Sequence, residues 1–319
     1  MIKLEKYSSE FEKKYSEKVL KIIKGNVSVA DFLTECKKII PNEIISFNSE
    51  DDEYLSKLIL MSFSDIKKII LKIKGDEKND GEYKKNVFRD WEDYVRVRNA
   101  LFQSYCDCFE KVRNTMLDGR KMNVIMTDKL GLTICPYCNR DYVNSRSDKH
   151  AGNQLDHFFS RSRYPFWAVS LYNLVPCCSV CNHIKSNTDE ELVSPFDEEY
   201  DFEDNKFSCE EDSGEIKWNE FMKAEGKMKN NVDTFRLMEA YKIHEKNEIK
   251  QILEKRKIYV KTQVNEILGI MNQAGGKTEY KEDDLKQWIY GGPICEKDYK
   301  SISIGKLKHD ILKQLNIYN

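Results

Sequence analysis

Two Cys-x-x-Cys pairs set the strongest constraint on this chain: Cys135-Pro136-Tyr137-Cys138 and Cys178-Ser179-Val180-Cys181. Tetrahedral zinc takes four soft ligands, and a Cys-x-x-Cys turn presents two thiolates at once. Either pair alone is a weak signal. Two of them bracketing one polar stretch predict a structural zinc site with Cys135, Cys138, Cys178 and Cys181 as ligands. Cys177 competes for a place, but its spacing to Cys181 does not match a knuckle, so it is expected to pack nearby.

Cys-Pro-Tyr-Cys also resembles the redox tetrad of glutaredoxins. A redox role requires a helix starting at the motif within a βαβ unit, and Asn139-Arg140-Asp141-Tyr142-Val143-Asn144-Ser145 is a poor helix start. The remaining cysteines, Cys36, Cys106, Cys108, Cys209 and Cys295, have no metal-type neighbourhood and are expected to be buried as small hydrophobes.

Bulk charge does not point to nucleic acid. One third of the 319 residues are charged, yet the net charge is only -2, so any nucleic-acid contact must come from a local patch. No run of ~18 apolar residues suggests a membrane span. Met1-Ile2-Lys3-Leu4-Glu5-Lys6 carries charges where a signal peptide has its apolar core. The expected location is therefore the cytoplasm, where paired cysteines bind metal more often than they form disulfides.

Helical periodicity dominates both ends. Ser9-x-x-Glu12 reads as a capping box ahead of Phe11, Tyr15, Val19 and Ile22. Ser28-x-x-Asp31 opens a second helix that Pro41 ends, a third covers Glu53 to Lys74, and Gly75 to Gly81 reads as a loop. A long helix over Lys85 to Leu117 carries a core stripe of Trp91, Val95, Arg98, Phe102, Tyr105, Phe109 and Val112. Beyond the centre, Asp189 to Asp212 is acidic, with a strand pair expected around Phe207 and Ile216. One long helix or a pair spans Asn231 to Met271 until Gly275-Gly276, and short helices follow at Asp284 to Tyr290 and Lys306 to Leu315.

The central pattern differs. Thr133-Ile134 and Tyr142-Val143 bracket the first cysteine pair as two short strands would. Leu155-Asp156-His157 alternates as a strand, Leu171 to Val175 reads as its partner, Pro176 breaks it, and Asn182 to Asn187 suits a helical turn or two. The predicted fold class is α+β: a mainly helical chain with a central zinc-stapled ββα module. The expected segments are a helical domain over 1–120, the module over 121–190 and a mainly helical domain over 191–319.

Asp156-His157, Asn173 and Asn182-His183-Ile184-Lys185-Ser186, set between the cysteine pairs, resemble the HNH or ββα-metal endonucleases, including the Asn-x-x-Lys-Ser end of the HNH module of Cas9. The resemblance covers about a sixth of the chain. More loosely, Gln154-Leu155-Asp156-His157-Phe158-Phe159, Tyr164-Pro165 and Ser170-Leu171-Tyr172-Asn173-Leu174 look like the HNH nucleases of bacterial anti-phage systems of the Septu type. That likeness implies a defence effector licensed by an ATPase partner subunit.

The chemistry stands beside the resemblance. Phosphodiester hydrolysis needs an activated water and stabilisation of charge on the phosphate. His157 suits the general base, with an ordinary pKa of roughly 6.5, and Asn173 on the opposing strand is expected to orient it. Asp156 and Asn182 form an oxygen-only pair suited to Mg²⁺ or Mn²⁺. Arg140, Arg146, Lys149, Arg161, Arg163 and Lys185 give the stretch a local positive excess, with Arg161, Arg163 and Lys185 the expected phosphate contacts. Tyr164, Phe166 and Trp167 are expected to pack the loop. The function expected is metal-dependent cleavage of DNA, RNA not being excluded. The alternative is a non-catalytic zinc module that binds nucleic acid or a protein.

Overall fold

Helix α1 (Ser9–Lys24) opens the chain in a computed structural model that describes residues 1–39, 51–78, 107–188, 190–203, 205–218, 227–275 and 279–318. Its cap is Ser8, one residue before the expected one; the Ser8 hydroxyl accepts from the Phe11 amide at 3.4 Å. Phe11, Tyr15, Val19 and Ile23 then recur on one face and are buried. α2 (Val29–Ile39) starts just after Ser28 as expected; Pro41 lies outside the described residues. The predicted third helix is two, α3 (Asp51–Ile59) and α4 (Phe63–Lys78), and the backbone of 75–78 continues α4 where a loop was expected. Ser62 caps α4, its hydroxyl accepting from the Asp65 amide at 3.1 Å.

Most of the predicted helix over Lys85 to Leu117 lies outside the described residues. Its described part is helical over 107–114 and stops there, because Met116–Leu117 (β1) pairs with Arg120–Lys121 (β2). The short α5 (Met122–Lys129) follows.

At the centre, β3 (Gln154–His157) pairs antiparallel with β4 (Leu174–Cys177), and α6 (Ser179–Lys185) follows directly. The expected strand–loop–strand–helix order is present with two corrections. Leu171–Asn173 is a 3-10 turn, and Pro176 sits inside β4, opposite Leu155. The Phe158 amide donates to the Asn173 carbonyl at 2.9 Å, so alternate pairs carry the ladder bonds and the Pro176 nitrogen falls between them, where no donor is needed. Gly152, just before β3, permits a close chain approach: a Cβ there would lie 2.1 Å from the Asn144 carbonyl oxygen.

The chain divides into two compact units, Met1–Tyr200 and Asp201–Asn319, so 1–120 and 121–190 share the first. In the second, the expected strand pair is present as β5 (Phe207–Cys209) and β6 (Ile216–Trp218). The predicted long helix is divided into α7 (Lys227–Thr234), α8 (Leu237–His244), a π-helical turn over Glu245–Ile249, α9 (Lys250–Ile258) and α10 (Lys261–Ala274). Left-handed Arg236, at φ 51, makes the first break, and extended Val260 makes the last. α11 (Glu282–Tyr290) packs Leu285 and Ile289 on Val264 of α10. α12 (Gly305–Gln314) is pinned to β5 by Asp310, which accepts from the Phe207 amide at 2.9 Å, and by Gln314 on both backbone groups of Cys209. The architecture is mixed α/β, mainly helical, with two-stranded sheets only among the described residues. No described helix is long and apolar enough to cross a membrane.

Candidate metal centre and adjoining cavity

The sulfur atoms of Cys135, Cys138, Cys178 and Cys181 all lie within 4.8 Å of one another, and all four residues are buried. Four soft donors this close, without a carboxylate among them, can hold a metal ion such as zinc. The first knuckle closes on left-handed Asn139, at φ 52, whose amide donates to the Cys135 carbonyl at 2.8 Å. Ile134 bridges to Tyr142 in the expected short hairpin. A turn therefore follows Cys138, not the helix that a redox tetrad requires. The second knuckle doubles as the cap of α6, the Cys178 sulfur accepting from the Cys181 amide at 3.4 Å.

Within the cluster, hydrogen bonds from Cys135, Cys178 and Cys181 hold the Cys138 thiol below its ordinary value, while burial first, then its hydrogen bonds to Cys138, Cys178 and Cys181, raise Cys135. Cys177 stands outside the cluster, and burial, reinforced by the Asp156 charge, pushes its thiol well up. Of the other cysteines, Cys108 and Cys209 are buried as expected; Cys295 is exposed and bonds Asp298 through its sulfur at 2.8 Å.

The first knuckle and the end of α6 both reach Asp156. Tyr137, inside the first, donates its hydroxyl to the Asp156 carboxylate at 2.6 Å. Burial and then the Asp156 charge raise the Tyr137 phenol well above its ordinary value, so it remains a donor. Lys185, at the end of α6, puts its ammonium 3.1 Å from the same carboxylate and 2.9 Å from the His157 carbonyl. Lys185 was expected to contact phosphate. It is instead 2% exposed, paired with Asp156 and packed over the Phe158 ring.

His157 is half-buried. Its Nε2 lies 2.9 Å from the Ala168 carbonyl, and its ring meets Phe109 at 4.3 Å between centroids. An N–H on Nε2 donates to that carbonyl, which leaves the lone pair on Nδ1. Burial first, then the charges of Arg161 and Lys185, pull the His157 pKa down to about 3, far below the ordinary value expected from sequence. The imidazole is neutral across the physiological range.

Asn173 does not orient His157 directly. Its oxygen accepts from the Phe159 amide at 2.8 Å, and its amide donates to the carbonyls of Phe159 and Trp167 at 3.1 and 3.0 Å. It clamps the two ends of the loop that carries Ala168. The buried Tyr164, Phe166 and Trp167 pack that loop as expected. The N-terminal helices hold it from outside: Tyr15 donates to the Val169 carbonyl at 2.9 Å, Ser170 donates to the Leu58 carbonyl at 2.8 Å, and Tyr172 donates to Glu12.

A cavity of ≈ 290 Å³ is lined by Gln154, Asp156, His157, Arg161 and Asn182, and by Phe109, Glu110 and Arg113 from 107–114. Arg161 lays its guanidinium 5.2 Å from the Phe109 centroid, and its Nη1 is buried without a hydrogen-bond partner. The Asn182 amide donates to Gln154 at 2.6 Å, which leaves its side-chain oxygen for another partner. Arg163 is half-buried and lies outside the lining.

The cavity thus gathers Asp156, His157, Arg161 and Asn182. Three contributors escaped the sequence reading. Phe109 was visible only as one more core position, Tyr137 only as a residue between ligands, and Ala168 acts through its backbone, which leaves no side-chain signal. No family model matches the chain, and neither does any curated protein or solved structure.

Proposed function

We propose that this chain is a metal-dependent endonuclease of the HNH pattern that hydrolyses phosphodiester bonds in DNA. One observation carries this: a neutral histidine, with its lone pair on Nδ1, shares a cavity with an arginine that has an unpartnered buried nitrogen. Neutral His157 accepts the proton of a water, held in its tautomer by the Ala168 carbonyl. Arg161 holds a phosphate oxygen, which satisfies Nη1. Asn173 keeps the loop in register so that both groups stay aimed.

Asp156 and Asn182 fit a hard divalent ion by chemistry, one carboxylate and one amide oxygen on the same cavity. The Asp156 carboxylate already attracts a cation, the Lys185 ammonium. When bound, Mg²⁺ or Mn²⁺ would neutralise charge on the phosphate and the leaving oxygen. The resemblance to anti-phage nucleases extends the proposal to a bacterial defence effector, licensed by an ATPase partner.

The test is incubation of plasmid DNA, single-stranded DNA and RNA with the zinc-loaded chain in Mg²⁺ or Mn²⁺. Nicking or linearisation that disappears in His157→Ala, with DNA binding retained, supports the proposal. A non-catalytic zinc module is the second reading, favoured by the structural employment of Asp156, Asn173 and Lys185. It predicts binding without cleavage under every condition.

A further inference from the structure

We infer that Lys185 is a tethered cation that competes with a divalent ion for Asp156 and must give up the carboxylate when the ion binds. This rests on the nuclease proposal and names the group that the ion displaces. The Lys185 ammonium lies 3.1 Å from each Asp156 oxygen, and both side chains are almost wholly buried, at 2% and 4% exposed. Tyr137 takes a further acceptor position on the carboxylate. An ionised carboxylate accepts roughly four hydrogen bonds, so these donors occupy much of its capacity.

Charge decides the rest. A divalent ion at Asp156 meets a positive ammonium a few ångströms away, where water does not screen the repulsion. The ion and the ammonium therefore compete for one carboxylate. Lys185 has a way out: it ends α6, Ser186 follows at φ 46 and ψ -133, and Ser186 lines the cavity beside Asn182. A phosphate in that cavity offers the displaced ammonium a second anion. Ion and phosphate then favour each other, and the carboxylate is charge-balanced in both states.

The experiment measures Mn²⁺ binding to the zinc-loaded full chain by electron paramagnetic resonance. Lys185→Met should bind Mn²⁺ at least ~10-fold more tightly than wild type, because the competing charge is gone. Lys185→Arg should stay close to wild type. Lys185→Gln, which retains a donor for the His157 carbonyl, keeps the test available if Lys185→Met fails to fold, as judged by zinc content and melting. Asp156→Asn should lose the gain even when combined with Lys185→Met.

Unchanged or weaker Mn²⁺ binding in folded Lys185→Met or Lys185→Gln overturns the inference. So does tightening that persists without Asp156, or Mn²⁺ binding in no variant. Cleavage is scored separately on wild type. Tightening without any cleavage leaves the competition standing and removes cleavage by the chain on its own; cleavage without tightening removes the competition and leaves the nuclease proposal.

Discussion

The four-cysteine cluster and the His157 cavity hang on the same frame of β3, β4 and α6, but they are built in opposite ways. In the cluster, each sulfur lies among the other three, and residue type plus spacing identifies the whole set. In the cavity, polar groups are shared with the scaffold: Asp156 with Tyr137 and Lys185, His157 Nε2 with Ala168, and the Asn182 amide with Gln154, while Arg161 Nη1 has no partner. A soft-ligand site depends on which residues are present. A site of hard, shared groups depends on who holds each lone pair, and spacing does not record that.

The largest way to separate the two regions is to take away the metal. Structural zinc contributes on the order of 10 kcal/mol to small modules, so Cys138→Ser should unfold the frame beneath both sites. Elemental analysis and circular dichroism check this; folded protein with an intact cluster and no bound metal would show that the cysteines are only core. His157→Ala should act on the cavity alone. General-base catalysis typically gives 10²–10⁴-fold for a base whose pKa lies near the working pH; with a pKa of about 3, His157 should sit at the low end, and cleavage should fall by about 10²-fold while zinc content and DNA binding persist. A fall of only a few-fold would remove His157 from the chemistry.

Asp156 joins the regions, and its variants should touch both. Asp156→Ala leaves the Lys185 ammonium buried without its carboxylate, a loss typically of about 3–5 kcal/mol. Adding Lys185→Met should restore much of that stability, since the orphaned charge goes too. Additive losses in chemical denaturation would mean that the pair is not coupled.

Acid should loosen the cavity before the cluster. His157 has a folded pKa of about 3 against roughly 6.5 unfolded, so folding favours the neutral ring. Its contribution is fully present above pH ~6.5 and is lost as pH falls from there towards 3, because the unfolded chain binds the extra proton. Stability measured against pH should fall by up to a few kcal/mol across that window, and His157→Gln should flatten the curve. For the same reason the cleavage rate should not step near pH 6.5; a clear step there would mean that the ring is more hydrated than its burial indicates.

How much could be read beforehand follows the same division. The cysteine set, the ββα order, the β5–β6 pair and the terminal helices were legible, since each rests on local periodicity or ligand spacing. The breaks in the long C-terminal helix were not: nothing local marks left-handed Arg236 or the π-turn at Glu245–Ile249 as helix interruptions. Pro176 misled because its strand role depends on which face of the ladder it meets. Lys185 misled most. A lysine three residues after Asn182 looks solvent-facing until the fold shows Asp156 behind it. The N-terminal helices carried no chemical signal, yet they brace the loop that orients His157.

That bracing supplies the smallest prediction and the most delicate one. Tyr15 is fully buried and donates its hydroxyl to the Val169 carbonyl at 2.9 Å, next to the Ala168 carbonyl that accepts from His157. Tyr15→Phe keeps the ring and its packing and removes one hydrogen bond, which should cost about 1 kcal/mol. The four-cysteine cluster has no part in this contact, so metal content should not change. The loop holding Ala168 loses one of its anchors, so His157 should keep its tautomer with less directional precision, and cleavage should fall by a few-fold with substrate affinity unchanged. Denaturation, zinc analysis and steady-state cleavage on one preparation read all three quantities. If stability falls as expected while cleavage is untouched, the N-terminal helices support the fold and not the base. If cleavage falls, the helical start of the chain belongs to the site.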